Sequence, residues 1–143
     1  PKIYRFPVFY QSAAAGIGKL TQVYDYNMQD FTIDAMPENA VFAMKISGES
    51  MNSYLTNHII KTNSIVLINP RFNVSDLDDK IVIAKFKNKV ICKRYIDKGN
   101  YILFQSDNDD YSNENRKSSD DPECRIVGIV LGVIENNKFI EVK

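Results

Sequence analysis

The peptide Lys45-Ile46-Ser47-Gly48-Glu49-Ser50-Met51 is the stretch of this chain most suggestive of chemistry. An apolar run ends there, Gly48 permits a tight turn, and Ser50 follows at the start of a possible short helix over Met51–Ile60. Such a setting exposes a hydroxyl at a bend. It also aims backbone N–H groups, those of Ser50 and Met51, at a point where an oxyanion would form. Gly-x-Ser is a common pattern, however, and a helix N-cap serine fits it as well. A nucleophilic serine also needs a base. His58, the single histidine, lies eight residues on, but no sequence feature pairs it with Ser50 and a carboxylate. A Ser-His-Asp triad therefore stays open beside the plainer reading of a surface or half-buried histidine.

Lysine is the other candidate base. It titrates near 10.4 in water, about three units too high for work at neutral pH, unless burial disfavours its charged form. The run Lys89-Val90-Ile91-Cys92-Lys93-Arg94-Tyr95-Ile96 offers that environment. Strand alternation puts Ile91, Lys93 and Tyr95 on one face, so Lys93 has an aliphatic and an aromatic neighbour on its own side. The competing reading is a strand lysine whose stem packs on those neighbours while its ammonium reaches water.

The elements that must position these groups are strands. Tyr4–Tyr10, Ala40–Ile46, Ser64–Asn69, Lys80–Phe86, Lys89–Ile96, Tyr101–Gln105, Arg125–Glu135 and Lys138–Val142 read as strands rich in β-branched and aromatic residues. Turns are predicted at Phe86-Lys87-Asn88-Lys89, at Lys98-Gly99-Asn100 and at Asn136-Asn137. Asp107–Asp121 is polar and reads as a surface loop. Ser12–Gly18 is a run of small residues with few side chains to hold it in place. The fold class is mainly β with little helix.

The 143 residues suit one domain, and 44% hydrophobic with 25% charged is an ordinary globular balance. Eighteen basic residues offset eighteen acidic ones, which argues against free-standing nucleic-acid binding. No apolar run reaches the roughly 18 residues of a membrane span. The absence of a signal peptide and a count of two cysteines, Cys92 and Cys124, point to a reducing, cytoplasmic setting. A start at Pro1 without Met is expected of a piece of a longer protein. No cofactor and no metal site is expected. Gly16-Ile17-Gly18-Lys19-Leu20 lacks the residues of a phosphate loop, and Asp107-Asn108-Asp109-Asp110 lacks the glycine and glutamate that a calcium loop needs.

Taken together, these residues resemble a known family. Ser47-Gly48-Glu49-Ser50-Met51 is similar to the serine motif of the LexA-type S24 peptidases, and Val90-Ile91-Cys92-Lys93-Arg94 to their lysine strand, 43 residues after the serine. Ile65–Ile68 resembles the strand between the motifs and Ile126–Ile134 the closing strand, so the likeness runs over roughly residues 5–135. Lys61-Thr62-Asn63-Ser64 departs from the family's usual Asp-Gly-Asp before the middle strand. The resemblance implies a LexA/signal-peptidase-like fold of short, strongly bent antiparallel sheets. It implies Ser50 as nucleophile, Lys93 as base, and the N–H groups of Ser50 and Met51 as oxyanion donors. Family repressors cut themselves at Ala-Gly or Cys-Gly upstream of the serine, which makes Ala15-Gly16 the implied cleavage site.

In that reading residues 1–19 form an arm carrying the cleavage segment, and residues 20–143 a self-cleavage and dimerisation domain. The parent would be a ci-type phage or mobile-element repressor whose helix-turn-helix domain, and with it DNA binding, lies outside these residues. The implied partners are a second copy of the chain, with the closing strand and the Lys138–Val142 tail as candidate surfaces, and a RecA filament or an antirepressor as activator. The alternatives are a UmuD-like polymerase accessory subunit, a catalytically silent dimerisation module, and a signal peptidase acting in trans. The missing membrane anchor counts against the last of these.

Overall fold

The computed structural model describes residues 2–11, 26–53, 58–87, 89–116 and 124–142. Strands dominate these residues. They are β1 (Lys2–Tyr10), β2 (Tyr26–Ile33), β3 (Phe42–Lys45), β4 (Asn52–Ser53), β5 (His58–Ile59) and β6 (Ile65–Asn69), then β7 (Lys80–Phe86), β8 (Lys89–Asp97), β9 (Ile102–Gln105), β10 (Glu114–Arg116), β11 (Cys124–Glu135) and β12 (Lys138–Glu141). A short 3-10 turn spans Val74–Asp76. The mainly-β expectation holds, and the predicted strands lie within a few residues of the observed ones.

One large sheet runs in the order β10-β9-β8-β7-β11-β6-β3-β1-β2, with β12 paired to β11, and β4-β5 form a separate two-stranded ribbon. The sheet is mixed rather than purely antiparallel, because β1 runs parallel to β3 through Val8, Phe9 and Tyr10. Long β11 has its edges taken by β7, β6 and β12 in succession. It manages this by bulging twice, between Ile126 and Gly128 and between Val130 and Gly132. At Gly128 a Cβ would lie 2.5 Å from Ile68 Cγ2 and 2.7 Å from the Asn69 carbonyl oxygen, so only glycine lets β11 cross β6 this closely.

The three predicted turns are all present. Phe86 pairs with Lys89, Asp97 with Ile102 and Glu135 with Lys138. Asn136 and Asn137 both have positive φ, 50° and 61°, as a two-residue hairpin of this twist requires.

The hairpin β7-β8 is buried on both faces. Ile81, Ile83, Val90 and Cys92 join one apolar cluster with Met44, Met51 and Ile68. Val82, Ala84, Ile91 and Tyr95 join another around Phe86 and Phe104. Burial on both sides is what allows β8 to carry charged side chains out of water. Two elements differ from expectation. The stretch read as a surface loop, Asp107–Asp121, contains β10 and a buried Asp107. The possible helix over Met51–Ile60 is absent where it is described: residues 52–53 pair antiparallel with 58–59 as β4 and β5.

Candidate active site

Ser50 sits on a turn, not at a helix start. Gly48 has φ of +95°, a conformation costly for any residue with a Cβ, and the turn closes with Asn52 N donating to the Glu49 carbonyl at 3.1 Å. The turn is held from its own side by Thr62. Gly48 N donates to Thr62 Oγ1 at 3.0 Å, and Thr62 N donates to Glu49 Oε2 at 3.3 Å. The unusual Lys61–Ser64 turn therefore serves as a clasp on the serine peptide, with Asn63 in the left-handed region at φ 75°. Met51, next to Ser50, anchors the turn in the core at 2% exposure. The correction to the helix reading removes a helix dipole as an oxyanion aid. The N–H groups of Ser50 and Met51 remain, and among the described residues neither is engaged in a hydrogen bond.

Lys93 lies in mid-β8, paired with Val82 and only 9% exposed. The expectation that Ile91, Lys93 and Tyr95 share a face holds, since the first and last belong to the same cluster. The ammonium does not reach freely into water. Nζ donates to Ser106 Oγ at 2.8 Å in a buried contact. Burial pushes the Lys93 pKa below its ordinary 10.5, and nearby Lys89 adds to the fall, while Glu114 and Cys92 oppose it. Glu114 is itself paired with Lys89, which blunts its pull on Lys93. The neighbours of Lys93 on the strand are treated differently. Burial pushes the Cys92 thiol up from 9.0 to about 12. Arg94 is held firmly charged by Asp107, with Nε and a terminal nitrogen donating to the two carboxylate oxygens at 2.9 and 2.8 Å.

Ser50 and Lys93 are linked through Ser106-Asp107-Asn108. Asn108 N donates to the Ser50 carbonyl at 2.9 Å, and Asn108 Nδ2 donates to the Glu49 carbonyl at 3.0 Å. Asp107 N approaches Met51 Sδ at 3.4 Å. The structure thus brings the serine turn and the lysine strand onto one segment, with the Lys93 hydrogen bond going to Ser106 rather than to Ser50. Gln11, at the end of β1, makes a second link. Its Oε1 accepts from Ser47 N at 2.9 Å, and its Nε2 donates to the Val90 carbonyl at 3.0 Å. Sequence reasoning missed both Ser106 and Gln11. The predicted turn at Lys98-Gly99-Asn100, centred on Gly99, would carry Lys93 onto Gln105 and so gave no pointer to Ser106. The observed β8-β9 register, Arg94 opposite Gln105, is offset by one residue because the turn runs over Lys98–Tyr101, closed by Lys98 N donating to the Tyr101 carbonyl at 3.0 Å.

Of the other expected residues, His58 lies in β5 with its backbone paired to Ser53. Ala15 and Gly16 lie outside the described residues. Among the described residues no group of three His, Cys, Asp or Glu side chains gathers as a metal site. No helix there is long and apolar enough to cross a membrane.

A serine on a braced turn and a buried lysine are thus tethered to one segment, Ser106-Asp107-Asn108. The model of the Peptidase S24-like family matches residues 7–131. The chain belongs to this S24-like peptidase family. Membership brings the serine-peptidase kind of activity with it and agrees with the mainly-β mixed sheet. No curated protein matches the chain.

Proposed function

We propose that this S24-like domain is an autoproteolytic switch in which Ser50 attacks and Lys93 is the base. The observation that carries this reading is the state of Lys93: a lysine removed from water and bonded to a hydroxyl instead of a carboxylate. A carboxylate would hold the ammonium charged, whereas a neutral acceptor leaves burial free to favour the amine.

In the proposed reaction, the lone pair of neutral Lys93 Nζ takes the Ser50 hydroxyl proton while Ser50 Oγ attacks the Ala15 carbonyl carbon. The N–H groups of Ser50 and Met51 receive the oxyanion. As the Ala15–Gly16 bond breaks, Lys93 returns the proton to the Gly16 amine, and water then hydrolyses the acyl-enzyme. Serine–base hydrogen bonds commonly tighten only with substrate in place. The tie of Gln11 to both Ser47 and Val90 supports an intramolecular reaction, because it fixes the chain beside the site four residues before Ala15.

The biological role we propose is relief of repression. The domain would pair with a second copy and be separated by cleavage from an N-terminal helix-turn-helix outside these residues. A RecA filament or an antirepressor would be the activator. A UmuD-like accessory subunit would share the chemistry and lack the helix-turn-helix, so the reading frame upstream of Pro1 distinguishes the two.

The test is intact-mass analysis of the purified chain held at about pH 7 and about pH 10, a range chosen to deprotonate lysine. Fragments 1–15 and 16–143 should accumulate, faster at the higher pH, and Ser50→Ala and Lys93→Ala should each abolish them. A wild-type chain that stays whole at high pH and with activator would leave a silent dimerisation module. Cutting that survives Lys93→Ala but not His58→Ala would transfer the base role to histidine.

A further inference from the structure

We propose that Ser106 is a positioning residue for Lys93, and that Ser106-Asp107-Asn108 is the brace holding the lysine strand in register with the serine turn. The proposal rests on the Ser-Lys reading above. Each residue of the tripeptide grips a different part of the site. Ser106 Oγ accepts from Lys93 Nζ, the Asp107 carboxylate accepts from Arg94, and Asn108 donates to the carbonyls of Ser50 and Glu49. The tripeptide leaves β9 directly after Gln105, which pairs with Arg94, so it cannot slide along β8. Its far side is pinned as well: Ser106 N donates to Asn113 Oδ1 at 2.9 Å, and Asp110 N donates to Asn108 Oδ1 at 3.0 Å.

The direction of the Ser106 hydrogen bond matters. Ser106 Oγ donates its own proton to the Ser112 carbonyl at 2.8 Å, so toward Lys93 it acts only as an acceptor. It therefore holds one N–H of Lys93 in either protonation state. When the amine is neutral, that grip fixes where the lone pair points without competing for it. The charged and titratable groups around Lys93 are Lys89 and Cys92 on its own strand and Glu114 on β10. Arg94 and Asp107 neutralise each other next to it.

The experiment follows two quantities in the full chain: the NMR titration of the Lys93 side chain, and the self-cleavage rate against pH. An acceptor favours the charged donor more than the neutral one. Ser106→Ala should therefore move the Lys93 midpoint down, while the high-pH plateau rate falls about 10- to 100-fold through lost orientation. Ser106→Thr, which keeps the hydroxyl, should restore both. Asn108→Ala should lower the plateau and leave the midpoint where it is. A residue with only a packing role would behave in the opposite way: Ser106→Ala would admit water and raise the midpoint toward that of an ordinary lysine. That result, or an unmoved midpoint, overturns the proposal. Failure of the underlying reading looks different. The wild type would then neither cleave nor react at Ser50 with a fluorophosphonate probe, while the Lys93 titration would still judge Ser106.

Discussion

Removing the Asp107 carboxylate should be among the most damaging polar substitutions in this chain. The Arg94 side chain is 10% exposed and that of Asp107 2%, and the two meet through parallel N–H to oxygen bonds of 2.9 and 2.8 Å. Breaking a buried pair from one side typically costs about 3–5 kcal/mol, because a charge is left in the interior without its counter-ion. Arg94 would keep its bond to the Asp79 carbonyl at 2.9 Å and a distant Asp79 carboxylate at 3.7 Å. These place Asp107→Ala at the lower end, about 3 kcal/mol. For a chain of this size that is a fall in Tm of roughly 9–12 °C. Circular-dichroism melting and urea unfolding followed by tyrosine fluorescence would measure it. Two controls sharpen the reasoning. Asp79→Ala removes a carboxylate that is 78% exposed and should cost no more than about 1 kcal/mol. Arg94→Met with Asp107→Leu removes both charges and should recover most of the loss. An Asp107→Ala variant within about 1 kcal/mol of wild type, or an Asp79→Ala variant equally harmed, would refute the view that burial makes this pair matter.

Two further outcomes are expected. The folded-state pKa of Lys93 is lowered, so the unfolded chain binds more protons between that lowered value and the ordinary 10.5, and the Lys93 contribution to stability rises with pH across that window. Lys93→Met, which removes the cost of burying a charge, should be most stabilising relative to wild type at about pH 7 and lose that advantage as the pH climbs toward about 10.5, read by urea unfolding at each pH. Cys92 works in the opposite sense, its raised pKa giving stability that is lost between 9.0 and about 12, but both chains carry it and the difference isolates Lys93. Gly128→Ala should destabilise by about 1–3 kcal/mol in the same assay, since its Cβ would press on Ile68 and on the Asn69 carbonyl where neither can easily withdraw. A neutral result would mean that β11 can shift at its first bulge.

The strands legible in the sequence are those whose faces are both buried or cleanly alternating. β7 and β8 read as apolar runs because apolar clusters cover them on both sides. β2, Tyr-Asn-Met-Gln-Asp-Phe-Thr-Ile, was not legible, because it is an edge strand with five of its eight residues polar or exposed on the outside of β1. β10 lay hidden inside an Asp- and Asn-rich stretch, since three residues joined to β9 by backbone pairing leave little side-chain pattern. The helix expectation after Ser50 failed for a related reason: once Gly48 turns the chain and Met51 enters the core, two-residue strands suffice, and no periodicity records them. At the site, the reactive residue types and the face of Lys93 were readable from local pattern. Ser106 and Gln11 were not, because a lone polar residue gains meaning only from the long-range partner it meets.

The three consecutive residues Cys92, Lys93 and Arg94 show how one buried strand sets three different protonation states. All three are nearly out of water, so desolvation pushes each toward its neutral form. Cys92 yields and keeps its proton. Arg94 does not, because a carboxylate meets it with two hydrogen bonds. Lys93 lies between these cases: its acceptor is a hydroxyl, strong enough to orient the side chain and too weak to hold its charge. The carboxylate and the hydroxyl are adjacent residues, Asp107 and Ser106, delivered by the same turn out of β9. Exchanging their order would place the carboxylate on the lysine and pin it as an ammonium. The register of one hairpin, set by the turn over Lys98–Tyr101, therefore decides which of two neighbouring cations stays charged and which can become a base.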